Sequence, residues 1–383
     1  MGRGREWYEF FAGGGMARLG LGERWSCTFA NEICEKKAAS YGARFGDGGL
    51  RIADVAALTT ADLPGTPVLA WASFPCQDLS LAGAGEGLNG GRSGTFKPFW
   101  KLMVALRAEG RAPKLVVLEN VVGAITSNSG RDFQHLIRSL HNSGWRAGPI
   151  VIDSRHFLPQ SRPRLFIVAV STDSEVPDGL QAAVPNRLWH PPGLRMAFES
   201  LPASLQGSWV WWDLPTPTAS TAGLSDLIEE KPIGVEWHTP EQTARLLSQM
   251  SASNIVKVRR AQQLRRRVIG TVYRRTRPDD AGEKVQRAEV RFDGVAGCLR
   301  TPVGGSSRQI VLFVEGGCVR SRLLSAREAA KLMGVDPSDY PIPANYNEAY
   351  HLFGDGVAVP VVRYLEQHLL YPLSTQPAKE KAA

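Results

Sequence analysis

A cysteine directly after a proline is the residue in this chain best placed to act as a nucleophile. The segment PVLAWASFP has the apolar and aromatic composition of a buried strand, and it ends at Pro75–Cys76. A cysteine held at a strand end can attack as its thiolate. The alternative for Cys76 is a structural role, because most free cysteines behave as small buried hydrophobes.

The residues that follow Cys76 are rich in glycine. Six glycines occur in the fifteen residues from Ser80 to Gly94, a density that no stable helix or strand tolerates. Beside a candidate nucleophile, this segment predicts a lid that closes over a substrate, and the alternative is a disordered surface loop. Gln77 and Ser80 are the candidate lid residues that contact the substrate.

Two further motifs place charged groups at strand ends. The apolar segment KLVVLENV delivers Glu119, a partly buried carboxyl group suited to contact with a substrate, or else a structural glutamate paired with an arginine. The segment QSRPR, with Gln160, Arg162 and Arg164, leads into the strand RLFIVAV and brings cations beside the same sheet.

A glycine-rich turn from Phe11 to Gly15 lies between a predicted strand and a predicted helix. Glycines there let the backbone approach a nucleotide-like cofactor, and a carboxylate about 20 residues later can accept the ribose hydroxyls of an adenosine. Glu32 and Asp54 are the candidates, and the alternative for Glu32 is a charge at a helix N-terminus. Arg18 stands at the third glycine of a dinucleotide fingerprint, which argues against a nicotinamide dehydrogenase.

Strands and helices alternate along the first 170 residues, which predicts a doubly wound, mostly parallel α/β sheet. In such sheets, ligands bind outside the carboxyl ends of the strands, where the glycine turn, Cys76 and Glu119 all fall. Composition changes after Val170, and regular patterning returns with LLSAREAAKLMGV, where Ser325 and Glu328 form a predicted capping box. We therefore predict a catalytic domain at 1–178, an inserted, smaller and irregular domain at 179–339, and a returning segment at 340–383.

The positive charge of the chain is concentrated in the insert. The net charge is +8, and the segment from Ile255 to Arg277 holds nine Lys and Arg without one Asp or Glu. This pattern favours a nucleic-acid surface over a solvated helical face. The candidate DNA-contacting residues are Arg259, Arg260, Arg265 and Arg274. The tryptophans of the insert are more often core anchors than base contacts.

Composition also limits the class of protein. No apolar run reaches the roughly 18 residues of a membrane span, and the first residues lack a secretory signal. The five cysteines form no C-x-x-C pair and the seven histidines lack ligand spacing, so neither disulfides nor a metal site are expected. We expect a cytoplasmic protein without membrane contact.

The ordered motifs FAGGG, SFPCQDLSLAG, LENVVG and QSRPR resemble those of the DNA cytosine-5 methyltransferases of bacteria and phages. The resemblance returns with RSRLLSAREAAKLMGV and GDGVAVPVV, and it leaves out the middle of the chain. Three positions depart from the family pattern: Ser73 and Met16 replace common glycines, and Asp355 replaces a common asparagine.

The resemblance implies S-adenosylmethionine as the methyl donor, no metal, and double-stranded DNA as the partner. Cys76 would attack carbon 6 of a flipped-out cytosine, and Glu119, Arg162 and Arg164 would hold the base. The implied cofactor-binding residues are Phe11, Gly13, Gly15, Glu32, Asp54, Val55, Pro75, Asp355 and Val357. The implied setting is a restriction-modification or orphan enzyme, monomeric, nucleoid-associated or phage-encoded, that does not require its cognate endonuclease for activity.

Two rival functions share most of these features. A tRNA cytosine-5 methyltransferase would keep the fold with a smaller insert, and a DNA-binding protein could carry a decayed catalytic core. The long basic insert favours DNA, and the intact Cys76, Glu119 and Arg164 favour an active enzyme.

Overall fold

The computed structural model describes residues 5–75, 93–218, 223–278, 282–301 and 308–376. The chain divides into two compact units. The first unit comprises residues 1–153, 163–217 and 361–383, and the second unit comprises residues 154–162 and 218–360. These bounds differ from the predicted 178/179 and 339/340, and the assignment of catalysis and target recognition to separate domains stays a prediction.

The first unit is built on a seven-stranded sheet in the order β3-β2-β1-β4-β5-β7-β6. Its strands are β1 (Arg5–Phe10), β2 (Trp25–Glu32), β3 (Leu50–Ile52), β4 (Leu69–Ala72), β5 (Leu115–Val121), β6 (Trp145–Asp153) and β7 (Pro163–Ser171). A separate antiparallel pair, β8 (Gln181–Ala182) and β9 (Trp211–Trp212), follows them in the chain. The five strands from β3 to β5 in this order run parallel, and β7 is antiparallel to both β5 and β6. The predicted doubly wound, mostly parallel sheet is confirmed.

Helices follow the strands as the alternating pattern predicts. They are α1 (Met16–Leu21), α2 (Glu35–Phe45), α3 (Phe96–Ala108), α4 (Arg131–Asn142), α5 (Pro192–Glu199) and α6 (Ala203–Gln206). One face of the sheet buries apolar side chains of β1, β4, β5 and β7 against α3 and α4, including Phe10, Phe99 and Leu136. Because the central strands are buried on both faces, they read as continuous apolar runs.

Four tryptophans that the sequence places in the predicted insert belong to the first unit. Trp189 and Trp212 are fully buried, and their indole nitrogens donate to the carbonyls of Leu214 and Val168. A Cβ added at Gly148 would lie 1.9 Å from Trp212 Nε1, so this indole lies directly on β6. These anchors explain why the first unit extends to residue 217, beyond the change in composition.

The second unit contains more regular structure than the predicted irregular insert. A four-stranded antiparallel sheet has the order β11-β10-β12-β13. Its strands are β10 (Val268–Pro278), β11 (Lys284–Arg291), β12 (Ile310–Glu315) and β13 (Cys318–Leu323), and its helices are α7 (Leu224–Leu227), α8 (Pro240–Ser248), α9 (Ala252–Gln263), α10 (Ala326–Leu332) and α11 (Tyr346–Asp355). Helices α8 and α9 cover one face of this sheet, and the predicted capping box of Ser325 and Glu328 starts α10.

The last helices return to the first unit. Helix α12 (Val359–Leu365) continues through a π-helical turn (Glu366–Leu370) into α13 (Tyr371–Thr375). The buried carboxylate of Glu366 accepts from Arg24 at 2.6 Å and from the indole of Trp25 at 3.0 Å, which fastens these helices beside β2. Among the residues described, no helix has the length and apolar character needed to cross a membrane.

Candidate active site

The glycine-rich turn after β1 has an unusual backbone conformation. Phe11, Gly13 and Gly15 all have positive φ angles, of 57°, 56° and 76°. A positive φ is costly for phenylalanine, so the surroundings must hold this conformation in place. The turn is closed by the bond from Gly15 N to the Ala12 carbonyl, at 2.8 Å. We call residues 11–15 the donor turn, because the resemblance implies that Phe11, Gly13 and Gly15 bind the methyl donor.

Glu32, at the end of β2, holds the donor turn from one side. One carboxylate oxygen accepts from the backbone N–H of Gly13, and the other accepts from the backbone N–H of Cys34, both at 2.8 Å. The side chain is 7% exposed. An ionised carboxylate has about four acceptor sites, so two further hydrogen bonds fit on the same oxygens.

Asp54 follows the next strand of the sheet. It is exposed, and its carboxylate accepts from the backbone N–H of Ala56 at 2.9 Å, at the start of a 3-10 turn that buries Val55. Asn31 donates to the carbonyls of Arg51 and Ala53 and so ties the end of β2 to this segment.

These residues fit an S-adenosyl group. A Cβ added at Gly13 meets no protein atom within 4 Å, so open space lies beside the backbone of the donor turn. The carboxylates of Glu32 and Asp54 end neighbouring segments at the carboxyl edge of the sheet. This donor set suits ribose hydroxyls, which need acceptors held in fixed positions.

Cys76, Gln77 and Ser80 lie outside the described residues, as does the predicted lid up to residue 92. The segment that leads to them is held by Asn120, a residue that the sequence did not single out. The amide of Asn120 donates to the carbonyl of Phe74 at 3.2 Å, and its oxygen accepts from Val121 N. Since Asn120 is buried at the end of β5, it fixes the backbone just before Pro75.

Glu119 and Arg164 form an ion pair at the ends of β5 and β7. The distance from Arg164 Nε to Glu119 Oε1 is 3.4 Å, and the side chains are 15% exposed for Arg164 and 9% for Glu119. The antiparallel register sets Arg164 opposite Val121, two residues beyond Glu119. This ion pair matches the alternative in which Glu119 is a structural glutamate paired with an arginine. Contact of either residue with a base stays a prediction.

Arg162 and Gln160 make structural contacts inside the second unit. Arg162 donates to the carbonyls of Leu299, Gly354 and Gly356 at 2.9, 2.9 and 2.6 Å. Gln160 is fully buried, donates to the Leu332 carbonyl and accepts from Leu299 N. The predicted roles of Arg162 at the base and of Gln160 at the DNA stay predictions.

Asp355 and Val357, the predicted cofactor residues of the last motif, also lie in the second unit. Asp355 is exposed and accepts a hydrogen bond from Thr301, whereas Val357 is buried. Their contact with the cofactor stays a prediction.

The predicted DNA-contacting arginines occupy two different environments in the second unit. Arg259 and Arg260 are exposed on α9, and Arg265 is exposed just after it with φ 49°. Within the described ranges these three form no ion pair, and we call them the basic surface. Arg274, on β10, instead lines a cavity of about 420 Å³.

The cavity beside Arg274 is lined mostly by residues with polar side chains. Its other polar lining side chains are His238, Gln242, Arg245, Gln249 and Gln286. None of the described lining residues is a carboxylate, so the lining side chains offer amide, imidazole and guanidinium groups to the cavity.

Comparison with known proteins identifies the family. A family model described as C-5 cytosine-specific DNA methylase matches residues 6–370. The chain belongs to this family. The type II methyltransferase M.NlaX of Neisseria lactamica is 25% identical over 370 residues, covering 96% of each chain. M.BsuFI of Bacillus subtilis is 25% identical over 357 residues, covering 93% of this chain and 70% of its own.

Solved structures agree with the fold of this C-5 cytosine methylase. The Dnmt2 methyltransferase of S. pombe has a TM-score of 0.59 at 15% identity, covering 97% of this chain and 99% of its own. The methyltransferase EhMeth of Entamoeba histolytica has the same TM-score at 13% identity, covering 95% and 97%. The predicted family, fold class and enzyme class are confirmed: the protein is a DNA cytosine-5 methyltransferase with S-adenosylmethionine as methyl donor.

Three residues of this methylase that sequence reasoning missed lie beneath the donor turn. Glu9, Tyr41 and Arg18 are joined by hydrogen bonds, and Glu9 and Tyr41 are almost fully buried. One signal was present, since Glu9 interrupts the otherwise apolar end of the strand EWYEFF. Its partners, however, stand 9 and 32 residues away.

Proposed function

We propose that this methylase modifies cytosine within a specific short duplex sequence, with Cys76 as the nucleophile and Glu119 as the group that stabilises the attacked base. The observation that carries this proposal is the end of β5. There, Glu119 is paired with Arg164, while the next residue, Asn120, holds the backbone two residues before Cys76. One strand end therefore positions both a carboxyl group and the approach to the nucleophile.

The chemistry follows from the electronic character of cytosine. The Cys76 thiolate adds to carbon 6, and this makes carbon 5 electron-rich enough to form a bond to the methyl group as the bond from methyl to sulfur breaks. Loss of the proton from carbon 5 then lets the thiolate leave and restores the ring. The target atom is inaccessible inside a duplex, so the base must first leave the stack.

Glu119 lies where it can respond to charge that develops on the base. Its carboxyl group would bond to N3 and the exocyclic amine of cytosine while Arg164 fixes its orientation. A group held in advance by an ion pair stabilises the adduct without having to reorganise during the reaction.

The bound donor supplies an electrophilic methyl group, and the chain's own residues hold it. Glu32 and Asp54 would accept the ribose hydroxyls, and Gly13 leaves room for the ligand beside the backbone. Phe11, Val55 and Pro75 would line the adenosine and methionine parts, with Gly15 closing the turn. We retain Asp355 and Val357 as further cofactor contacts.

DNA contact is proposed for the second unit. The basic surface, Arg259, Arg260 and Arg265, would neutralise phosphates, because its side chains are exposed and form no ion pair among the described residues. Arg274 would contact a base edge, because it lies in a cavity with three glutamine side chains. Arginine pairs with guanine and glutamine with adenine, so these groups suit base recognition.

The cellular setting is proposed from the relatives, which are named type II methyltransferases of bacteria. We propose a monomeric, cytoplasmic enzyme of a restriction-modification system that methylates without its cognate endonuclease.

A trapping experiment tests the nucleophile. Duplex DNA carrying 5-fluorocytosine at the target should capture the wild-type protein covalently, because the fluorine cannot leave as a proton does. Peptide mapping should locate the adduct at Cys76, and Cys76→Ser should form none while still binding the duplex. An adduct on another residue, or normal turnover by Cys76→Ser, would remove Cys76 from this role. A parallel assay on tRNA separates the RNA alternative.

A further inference from the structure

A buried carboxyl group lies under the donor turn and takes no part in the chemistry above. Glu9, on β1, is 1% exposed. It accepts from the Tyr41 hydroxyl at 3.2 Å and from the backbone N–H of Arg18. Burying a polar group is costly unless it is hydrogen-bonded, so these two contacts stabilise Glu9 in the core.

The Tyr41 phenol joins the parts of this network. Its oxygen donates to Glu9 and accepts from Arg18 Nη1 at 2.9 Å. Tyr41 is fully buried on α2, and the Arg18 guanidinium also covers the ring of Phe45, 4.4 Å from its centroid. Glu9, Arg18 and Tyr41, which we call the Glu9 network, thus link β1, α1 and α2.

The donor turn packs directly on this network. A Cβ added at Gly15 would lie 3.0 Å from two carbons of the Tyr41 ring and 2.3 Å from Phe45. Gly15 is also the N-cap of α1, where it offers no side chain to the first N–H groups. The Glu9 side chain supplies an acceptor instead. It accepts from the backbone N–H of Arg18, the third residue of α1, which has no partner within the helix.

We propose that Glu9, Arg18 and Tyr41 are positioning residues for the methyl donor. The network holds the Tyr41 ring in place, and the donor turn packs on this ring. It also holds the first turn of α1, which begins where the donor turn ends. Glu32 then meets Gly13 N in a turn that is already formed, and the donor does not have to order it. This inference rests on the proposed donor site.

The electrostatics of the network agree with a neutral, hydrogen-bonded acid. Burial raises the pKa of Glu9 to about 8, against the opposing effects of Arg18 and Tyr41. The charged and titratable groups that face Glu9 are Arg18 on α1, Tyr41 on α2, and Cys27 and Glu32 on β2. Glutamine has the shape of the neutral acid, so it is the conservative replacement.

The test compares two buried tyrosines of the same unit. Tyr41→Phe removes the central hydroxyl of the network, whereas Tyr8→Phe removes a hydroxyl that donates to the Pro64 carbonyl at 2.6 Å, away from the turn. Calorimetry with S-adenosylhomocysteine should show a Kd raised about three- to tenfold by Tyr41→Phe, the size expected when one hydrogen bond is removed. Tyr8→Phe should leave this Kd within about twofold. Both variants should lose similar thermal stability and keep their DNA affinity.

Substitutions of Glu9 test whether a conservative replacement restores the affinity for S-adenosylhomocysteine. Glu9→Ala should raise the S-adenosylhomocysteine Kd at least as much as Tyr41→Phe, and Glu9→Gln should restore it to near the wild-type value. Equal Kd changes in Tyr41→Phe and Tyr8→Phe would overturn the positioning role. Glu32→Ala is the reference: if it also leaves the Kd unchanged, the proposed donor site itself is wrong, rather than the network alone.

Discussion

In the first unit, the donor turn is held by backbone hydrogen bonds, by Glu32 and by the buried Glu9 network. In the second unit, the three arginines of the basic surface project from α9 and the residues after it into solvent. The turn loses conformational freedom during folding and presents a fixed shape to its ligand. The arginines are exposed and present positive charge. Under the roles proposed for these two regions, small-molecule recognition is preorganised, whereas DNA recognition begins with exposed charge that salt can screen.

The largest expected effect concerns catalysis by Glu119, at the end of β5 in the first unit. Glu119→Gln should lower turnover by about 10²–10³, the usual loss for one electrostatic contact made to the reacting group. DNA affinity should stay close to wild type, because the carboxyl group acts as charge develops. Single-turnover methylation and equilibrium binding would measure the two quantities.

Glu109→Gln is the matched control for that experiment, since Glu109 pairs with Arg111 at an exposed position. It should leave turnover within about twofold, because exposed ion pairs contribute little. If Glu119→Gln weakened DNA binding and spared turnover, the carboxylate would be structural.

The next effect tests how tightly the donor turn is packed. Gly15→Ala should destabilise the protein by roughly 2–4 kcal/mol, because it adds a contact at 2.3 Å to the strain of a positive φ. Gly110→Ala meets no atom within 4 Å at a similar φ of 71°, so it isolates the cost of the backbone conformation. Urea unfolding should show the larger loss for Gly15→Ala. Equal losses would mean that the turn is not packed on Tyr41 and Phe45.

Burial of Glu9 gives a smaller effect that depends on pH. Its pKa is raised from about 4.5 in the unfolded chain to about 8, so the folded protein holds an extra proton between these values. This contribution to stability is complete below about pH 4.5 and is lost as pH rises through about 8, by at most about 1.4 kcal/mol per pH unit. Glu9→Gln should remove this part of the slope in urea titrations from about pH 5 to 9. Parallel curves for the two proteins would show that Glu9 does not titrate in this range.

The sequence predicted some elements residue by residue and missed others for identifiable reasons. The segment EKKAASYGARF has the pattern of a helix, because its apolar spacing is regular and a glycine follows it, and α2 has these bounds, Glu35–Phe45. Strand β6 was missed because Arg146, Gly148 and Pro149 interrupt its apolar pattern. Strand β10 is not evident in the sequence because its arginines interrupt the apolar alternation, although Val272 and Arg274 share one face of the strand.

The candidate site could be predicted only in part. Glu32 and the donor turn were identified because a glycine-rich turn and a carboxylate have a characteristic spacing. The Glu9 network was not, since hydrogen bonds between residues up to 32 positions apart follow from packing. Arg162 and Gln160 make buried contacts with the main chain that their motif did not indicate, and their roles at the base and at the DNA stay predictions.

The contrast between the two regions leads to one decisive measurement. Binding of S-adenosylhomocysteine and of duplex DNA should be titrated, across a salt series, for wild type, Glu32→Ala and a variant with Arg259, Arg260 and Arg265 all changed to Ala. A further variant, Arg274→Ala, would be compared on target and scrambled duplexes.

We expect Glu32→Ala to weaken only the binding of S-adenosylhomocysteine. The triple variant should weaken only the binding of DNA, and by the same factor on all sequences. The salt dependence of its DNA affinity should have a slope lower by about one unit for each phosphate that is no longer neutralised. Arg274→Ala should reduce discrimination by roughly 1–3 kcal/mol at one base pair and leave the slope nearly unchanged. If the triple variant kept wild-type DNA affinity and salt slope, or Glu32→Ala kept wild-type affinity for S-adenosylhomocysteine, the division of labour between the two regions would be contradicted.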